Sequence, residues 1–192
     1  MRRTGRGPAR GGPALAAMGL ALAACAPLEP ITASGTFQDH LPARAPAPAG
    51  GCAVNITAVA DARTSPEILG IVGRAVKAPS DTQAWLRSIL QGLGSRGFQV
   101  GFAAAPEPEA INMQVRLDKA WLTGTATNKT ANVVVHVRAE RAGSAPLEAD
   151  YRGALTVMNW ASTAAELQRL ADTAFAKALD EMTPPLKRLC PV

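Results

Sequence analysis

Residues 112–158 read NMQVRLDKAWLTGTATNKTANVVVHVRAERAGSAPLEADYRGALTVM, which is three runs of strand-forming side chains separated by glycine. Within each run apolar residues alternate with polar ones, the period expected of a half-buried strand. We therefore predict strands at Asn112 to Leu122, at about Ala131 to Arg141 and near Leu147 to Met158. Turns are predicted around Gly124 and at Gly143. Three consecutive strands joined by short turns predict an antiparallel meander.

An amphipathic helix is predicted on each side of this strand-rich region. Each helix begins at a capping box, in which a hydroxyl side chain is followed three residues later by Glu or Gln. The two boxes are Ser80 with Gln83 and Thr163 with Glu166. Apolar residues then recur at helical spacing until Gly97 in the first case and Pro184 in the second. Both helices therefore carry one apolar face that needs a partner.

The remaining segments complete the fold prediction. Strands are predicted at Val54 to Ala58 and Phe98 to Phe102, whereas Asp61 to Ser80 contains two prolines and two glycines and is predicted to be mostly loop. The order is thus strand, helix, several strands, helix. We predict an α+β fold, a two-layer sandwich with a mainly antiparallel sheet and two helices on one face. The first strand-helix-strand unit is expected to make one parallel pair.

The N-terminal segment predicts export and attachment to a membrane. Leu22-Ala23-Ala24-Cys25 has the form of a lipobox, and it ends an apolar stretch from Ala14 that follows an arginine-rich start. This stretch is too short for a membrane span, which needs roughly 20 apolar residues. Residues 1–24 are therefore predicted to be a lipoprotein signal peptide, with Cys25 acylated and becoming the mature N-terminus. An ordinary secretory signal and an organellar transit peptide are the alternatives.

The segment after the lipobox is predicted to be a tether. Residues 25–50 contain five prolines among alanines and few large apolar side chains, so they cannot repay the entropy of folding. An extended tether could hold the globular domain, predicted at residues 51–192, up to about 75 Å from the membrane. Ala26 rather than Asp follows Cys25, which favours the periplasmic face of the outer membrane over inner-membrane retention.

The positive charge of the chain does not indicate a nucleic-acid partner. The formal net charge is +5, but four of the twenty basic residues lie in the predicted signal peptide and all fifteen acidic residues lie after it, which leaves +1 for the mature chain. The mature part also lacks a basic run with interleaved aromatic residues. We expect attachment to a membrane through acyl chains and an envelope protein as partner.

Two cysteines bracket the globular domain. Cys52 lies just before the first predicted strand and Cys190 just after the last helix, and an exported protein encounters an oxidising environment. We predict a disulfide that joins the two ends of the domain. Free thiols and pairing with a partner are the alternatives, while a metal site is disfavoured because no second cysteine or histidine lies nearby in sequence.

The sequence contains no recognisable group of catalytic residues. Its two histidines are His40, in the tether, and His136, in a valine-rich strand whose alternation places it on the face opposite Val133 and Val135. A surface histidine is favoured over a general base, which would need a partner that the sequence does not supply. Nucleophile-elbow, phosphate-loop, zinc-protease and dinucleotide motifs are all absent. We therefore expect a protein that is not an enzyme and has no cofactor and no metal.

A more specific pattern follows the first strand. Its residues, spaced as D-x-R-x-x-P-x-x-L-G, are Asp61, Arg63, Pro66, Leu69 and Gly70. Preceded by Val54-Asn55-Ile56 and followed by a helix ending in Arg96-Gly97-Phe98, this pattern resembles the YajG family of bacterial lipoproteins over roughly residues 52 to 183. The resemblance implies an outer-membrane-type lipoprotein with no established enzymatic activity. The long tether and the cysteine pair depart from what the family leads us to expect.

These observations leave two interpretations of the loop and three of the function. The loop that contains the pattern is either a structural turn fixed by Asp61 or a recognition surface. Trp121 and Trp160, near strand ends, either pack at the rim of the core or anchor a partner. We expect a lipid-anchored binding or accessory protein of the cell envelope. The alternative is a carrier of a lipid or small apolar ligand held between helices and sheet, and a hydrolase is weaker because no nucleophile and base can be named.

Overall fold

The predicted meander forms one side of a mixed eight-stranded sheet. The structure, a computed structural model, describes residues 28–41 and 51–190. The strands are β1 (Ile31–Thr32), β2 (Cys52–Asp61), β3 (Ile68–Ile71), β4 (Ala75–Lys77), β5 (Phe98–Gly101), β6 (Ile111–Gly124), β7 (Asn128–Glu140) and β8 (Leu147–Met158). The helices are α1 (Thr82–Leu90), which continues into a short 3-10 helix at Gln91–Arg96, and α2 (Ala164–Arg188).

Strand β6 organises the sheet because it pairs along both of its edges. One edge is antiparallel to β7, which is in turn antiparallel to β8. The other edge pairs in parallel with β2 over residues 111–117 and with β3 at its far end. Strand β5 lies parallel to β2, while β4 and then β1 extend the sheet beyond β3. The predicted α+β fold is confirmed, including the parallel pair formed by the first strand-helix-strand unit.

The two helices cover one face of this sheet and enclose the core. The side chains of Val115 and Val135 point from the sheet toward both helices, where Phe175 of α2 meets the fully buried Trp85 of α1 edge to face, with ring centroids 5.1 Å apart. The space left between the two helices and the sheet is about 10 Å³. This is at most the room that one water needs, so side chains fill the core at this point.

Helix α2 lies directly on the edge strand β8. A Cβ atom at Gly153 would lie 1.8 Å from the carbonyl oxygen of Ala174, so the glycine lets the two backbones approach. The Lys177 ammonium donates to the Ala154 carbonyl at 3.0 Å, and the Arg152 amide donates to the Glu181 carboxylate at 2.5 Å. Side chains of α2 therefore satisfy backbone groups at the free edge of β8, which limits pairing with another strand.

Three details of the sequence prediction need correction. Helix α1 is capped by Asp81, whose carboxylate accepts from the Ala84 amide, rather than by Ser80, whereas Thr163 caps α2 as predicted. Helix α2 does not end at Pro184 but continues to Arg188. The two prolines forfeit only two backbone hydrogen bonds, and burial of Leu186 holds the last turn against the core. The segment predicted as loop contains β3 and β4.

Residues 28–41 lie against the globular domain, whereas the sequence predicted a tether. Strand β1 pairs in parallel with β4, and the Phe37 side chain packs against the core. The Phe37 amide donates to the Ser88 hydroxyl at 3.1 Å, and the Ser34 amide donates to the Gln168 side chain at 2.7 Å. Hydrogen bonds to side chains of α1 and α2 thus compensate for the few apolar groups in this segment. The predicted signal peptide, Cys25 and residues 42–50 lie outside the described residues.

Candidate functional site

The loop that was singled out from the sequence is organised around one buried arginine. The Arg63 guanidinium donates to both carboxylate oxygens of Asp61, at 2.9 and 2.7 Å. It also donates to the carbonyl of Pro66 at 2.6 Å and to that of Ile68 at 3.2 Å. The Arg63 side chain is only 4% exposed. Four of the five N–H donors of the guanidinium thus close the turn, which makes the turn rigid and gives Arg63 a structural role.

The other residues of the pattern have structural places as well. Leu69 is buried in the core. Gly70 has a φ of +145°, and a Cβ atom there would lie 1.9 Å from the carbonyl oxygen of Leu122. Only glycine allows β3 to approach β6 this closely. The D-x-R-x-x-P-x-x-L-G pattern is thus explained by folding, which favours the structural reading of these residues over direct recognition.

A groove of about 280 Å³ nevertheless lies beside this rigid turn. Its lining comes from the loop and from the middle of β6, where a β-bulge at residue 118 interrupts the pairing with β7. The lining residues include Thr64, Ser65, Ile68, Lys119 and Trp121. Trp121 is half-buried and on the face of the sheet opposite the helices. The structure therefore brings the predicted loop and Trp121 together, although they are some sixty positions apart in sequence.

Cross-strand rows of side chains cover that open face of the sheet. The alternation of β6, β7 and β8 directs every second residue away from the helices. The register aligns Gln114 with Arg138 and Glu148, Arg116 with His136 and Asp150, Lys119 with Val134 and Arg152, Trp121 with Asn132 and Ala154, and Thr123 with Thr130 and Thr156. Charged rows thus occupy one half of the open face and uncharged rows the other half.

His136 lies in the charged half, on the surface that the sequence predicted for it. Its Nδ1 atom lies 2.8 Å from Asp150, and its Nε2 atom lies 3.4 Å from Glu148. Both ring nitrogens therefore face carboxylates rather than a hydroxyl or thiol. The other histidine, His40, has its Nε2 atom 3.6 Å from the carboxylate of Asp172.

Asp118, His136 and Asp150 form a group whose potential ligand atoms lie within 4.8 Å of one another. Sequence reasoning missed this group because the residues meet only through strand pairing. Arg116 donates to both oxygens of Asp118, at 2.6 and 3.1 Å, and this hydrogen-bonded pairing lowers the pKa of Asp118. Since a guanidinium already neutralises Asp118 and His136 pairs with Asp150, these contacts fit a network of surface ion pairs, and we assign no metal to them.

A second recess, of about 460 Å³, lies at the end of the open face near the β7–β8 turn. Thr57, Asn112, Gln114 and Arg138 contribute to its lining, and Arg138 donates to Glu140 at 2.9 and 2.7 Å. Asn112 also accepts from the amide of Glu107 at 2.7 Å, which fixes the loop that follows β5. Of its ionic groups, Arg138 and Glu140 are paired with each other, and Arg141 donates to the Leu189 carbonyl at 2.9 Å.

The predicted disulfide between Cys52 and Cys190 is present, with the two Cα atoms 5.6 Å apart. It joins the start of β2 to the residue that follows the last turn of α2, so the bond links the sheet layer to the helix layer. A separation of 138 residues makes this a long loop closure. The bond is distant from the groove and therefore has a structural role.

Two buried polar side chains beneath residues 28–41 were not predicted from the sequence, because no local pattern marks them. The fully buried Arg96 side chain donates to Asp39 and to Asp180, in each case at 2.8 Å. The Asp172 side chain, also fully buried, accepts from Gln168 at 2.8 Å and from the Gln38 amide at 3.4 Å. Burial raises the pKa of Asp172 to about 6, although both hydrogen bonds oppose the rise. Both groups join the N-terminal segment to α2.

No family model matches the chain. No curated protein matches it either. Among the described residues, neither helix combines the length and apolarity needed to cross a bilayer. Comparison with solved structures, in contrast, returns many chains of related shape.

Three of these structures illustrate the level of similarity. A Xanthomonas campestris protein of the DUF330 family is 8% identical, with 84% of this chain and 99% of that chain covered and a TM-score of 0.47. A minor lipoprotein from Acinetobacter baumannii is 13% identical, with coverage of 71% and 96% and a TM-score of 0.36. The rare lipoprotein B from Shewanella oneidensis is 9% identical, with coverage of 68% and 94% and a TM-score of 0.38. Similarity at this level assigns neither a family nor a function.

Proposed function

We propose that the protein is a lipid-anchored lipoprotein of the cell envelope that acts by binding rather than by catalysis. Its anchor is the acylated Cys25 of the lipobox, and its place is the periplasmic face of the outer membrane. The disulfide between Cys52 and Cys190 agrees with an oxidising compartment outside the cytoplasm.

The observation that carries the binding role is the groove between the Arg63 turn and Trp121. The turn is fixed by five hydrogen bonds that involve Arg63, so the rim of the groove is formed before a partner arrives. A preformed surface loses little conformational entropy on binding. Trp121 provides the large aromatic surface that is enriched at binding hot spots. Ile68 and the stem of Lys119 extend the apolar lining.

The partner that best fits this groove is a short segment of another envelope protein. A groove of about 280 Å³ accommodates a few side chains rather than a whole domain. Its walls combine the apolar Ile68, Ala120 and Trp121 with hydroxyl and charged side chains, among them Asp118 and Lys119. Arg63 holds the turn rather than the partner, because all of its hydrogen bonds are made within the turn. The carrier alternative placed a ligand between helices and sheet, but the space there is only about 10 Å³, which does not favour it.

The arrangement of the histidines supports a role without catalysis. A hydrolytic dyad needs an imidazole nitrogen directed at a nucleophile while the other nitrogen is held by an acceptor. Both nitrogens of His136 face carboxylates, and the Nε2 atom of His40 faces Asp172. Neither arrangement activates a hydroxyl or a thiol.

Site-specific photocrosslinking in intact cells tests the binding role. A photoreactive phenylalanine at exposed Thr64, on the rim of the groove, is expected to capture one recurrent envelope protein. The same group at Arg169, exposed on α2, is the matched control and should not capture it. Trp121→Ala should abolish capture from position 64 without changing the amount of protein. Equal capture from both positions, or none from position 64 in several growth conditions, would contradict the proposal.

Mass spectrometry of the mature protein tests the anchor independently. The expected N-terminal peptide begins at Cys25 and carries acyl chains. A Cys25→Ser variant should lose both the acylation and the membrane association. An unmodified Cys25 in the exported protein would refute the lipoprotein assignment, whatever the crosslinking result.

A further inference from the structure

Four large apolar side chains are exposed in the described part of the chain, and they lie at one end of the sheet. The exposed fractions are 65% for Leu28, 61% for Ile71, 58% for Met158 and 81% for Trp160. Isolated exposed apolar residues are common on soluble proteins, but several gathered at one end indicate a contact surface. We name this set the apolar end.

Strand register places Ile71 and Met158 at the same end of the sheet. Ile71 pairs with Thr123 of β6, which pairs with Thr130 of β7 and through it with Thr156 of β8. Met158 lies opposite Asn128, one row nearer the tip of the β6–β7 hairpin.

Hydrogen bonds at the hairpin place Trp160 beside them. The Asn159 amide donates to the Thr127 carbonyl at 2.8 Å, and the Asn159 side chain donates to the Thr125 carbonyl at 2.8 Å. These bonds hold the residue before Trp160 against the β6–β7 turn. Trp160 therefore projects from the same end of the sheet as Ile71 and Met158.

The chain enters the domain at this end as well. Ile31 of β1 pairs in parallel with Val76 of β4, so the residues before Ile31 lead toward the turn that joins β3 to β4. That turn lies against the β6–β7 hairpin, because a Cβ atom at Gly124 would lie 2.7 Å from the Val72 side chain. Leu28 thus belongs to the apolar end.

The predicted lipid on Cys25 is only a few residues from the apolar end, so this end must face the membrane. Only Ala26 and Pro27 separate Cys25 from Leu28. Three residues span at most about 10 Å, so a lipid on Cys25 brings the apolar end to the surface of the bilayer. The strap formed by residues 28–41 prevents the domain from moving away on a longer tether.

The composition of the apolar end suits the boundary between lipid headgroups and acyl chains. An exposed indole is favoured at that depth, and Leu, Ile and Met contribute apolar area. The nearby row of Thr123, Thr130 and Thr156 carries hydroxyls, and Lys129 in the next row is fully buried and paired with Glu166. Glu29 and Arg74 have opposite signs, so attraction to anionic lipids is not the main contribution.

We propose that Leu28, Ile71, Met158 and Trp160 insert into the surface of the membrane that holds Cys25, so that the strands of the sheet stand end-on to the bilayer. This proposal rests on the lipid anchor of the proposed function. It leaves the groove beside Trp121 and the open face of the sheet accessible from the periplasm, above the lipid surface.

Fluorescence quenching by brominated lipids tests the proposal on the full-length mature, acylated protein. In phosphatidylcholine vesicles with bromine on the acyl chains, we expect quenching of the Trp160 emission, identified as the signal lost in Trp160→Phe. Trp121→Phe should retain the quenching, because Trp121 lies in the groove. Added anionic lipid should leave the quenching unchanged.

A charge-introducing variant separates this surface from the anchor. Ile71→Asp combined with Met158→Asp should reduce the quenching of Trp160 while the acylated protein stays on the vesicles. Ala58→Asp, at another exposed position of the sheet, is the control and should leave the quenching of Trp160 unchanged. Absence of Trp160 quenching in protein whose Cys25 is acylated would overturn the orientation but not the anchor. Crosslinking of two copies through position 160 in place of quenching would also overturn it. An unmodified Cys25 would overturn both proposals.

Discussion

The Asp61 carboxylate accepts two parallel hydrogen bonds from the Arg63 guanidinium, although only one residue separates them in the chain. Both side chains are at least nine-tenths buried. The carbonyls of Pro66 and Ile68 accept the remaining bonds of the guanidinium. A local pair of this kind lets a loop between two strands keep one conformation, and the groove beside Trp121 depends on that conformation.

Removal of the guanidinium should therefore destabilise the whole domain. In Arg63→Ala the Asp61 carboxylate is left buried and unpaired, and two loop carbonyls lose their donor. Breaking a buried pair on one side costs about 3–5 kcal/mol, to be measured as the free energy of unfolding in urea. Arg138→Ala is the matched control, because Arg138 and Glu140 form an exposed pair, and it should change stability little. Similar effects of the two variants would contradict a structural role for Arg63.

Contact between α2 and β8 gives a second prediction. In Gly153→Ala the new methyl group would overlap the carbonyl of Ala174, which belongs to the helix backbone and cannot rotate away. We expect a loss of about 1–3 kcal/mol or more in the free energy of unfolding, the range for overpacked cores. Gly94→Ala is the control, since nothing lies within 4 Å of the added atom and its φ is not positive. A neutral Gly153→Ala would show that α2 moves freely on the sheet.

The sequence predicted those elements in which apolar residues repeat at a regular spacing along the chain. Alternation predicted β6, β7 and β8, and the spacing of apolar residues predicted α1 and α2. Strands β3 and β4 were missed because Gly70 was interpreted as a breaker. Its actual role is to let β3 pass the carbonyl of Leu122, a partner more than fifty residues away. A close approach between distant segments leaves no periodic signal.

The packing of residues 28–41 was missed for a related reason. Their composition is that of a tether, and the groups that hold them lie on distant elements. Arg96 bonds to Asp39 across 57 positions, and Gln168 bonds to the Ser34 amide across 134 positions. The groove was half predicted: the loop and Trp121 were both named, but their proximity depends on the pairing of β3 with β6.

Reduction of the disulfide gives a third prediction. Cross-linking residues 138 positions apart removes loop entropy from the unfolded chain, worth about 5 kcal/mol in the chain-entropy model. The double variant Cys52→Ser with Cys190→Ser should lose a large part of that stability and unfold at lower urea concentration. Reductant should lower the stability of the parent protein but not of the variant. Equal midpoints for parent and variant under oxidising conditions would contradict the prediction.

The buried carboxyl of Asp172 gives a prediction about pH. Its pKa is raised from 3.8 to about 6 in the folded protein, chiefly by burial. In this range the folded state binds more protons than the unfolded chain, so the free energy of unfolding falls as pH rises. The contribution of the protonated carboxyl is complete below pH 3.8 and is lost as pH rises through about 6. A shift of this size corresponds to about 3 kcal/mol.

The variant Asp172→Asn keeps the shape of the side chain but cannot titrate. Its free energy of unfolding, followed by urea denaturation from pH 4 to pH 7, should lack the decline expected of the parent. The comparison uses the slope, because the amide also alters the bonds to Gln168 and to the Gln38 amide and so shifts stability at every pH. His40 lies 3.6 Å from the same carboxylate, so His40→Ala is the control for a contribution of the imidazole to the slope. Parallel curves for the parent and Asp172→Asn would mean that Asp172 is ionised across this range and that burial does not raise its pKa.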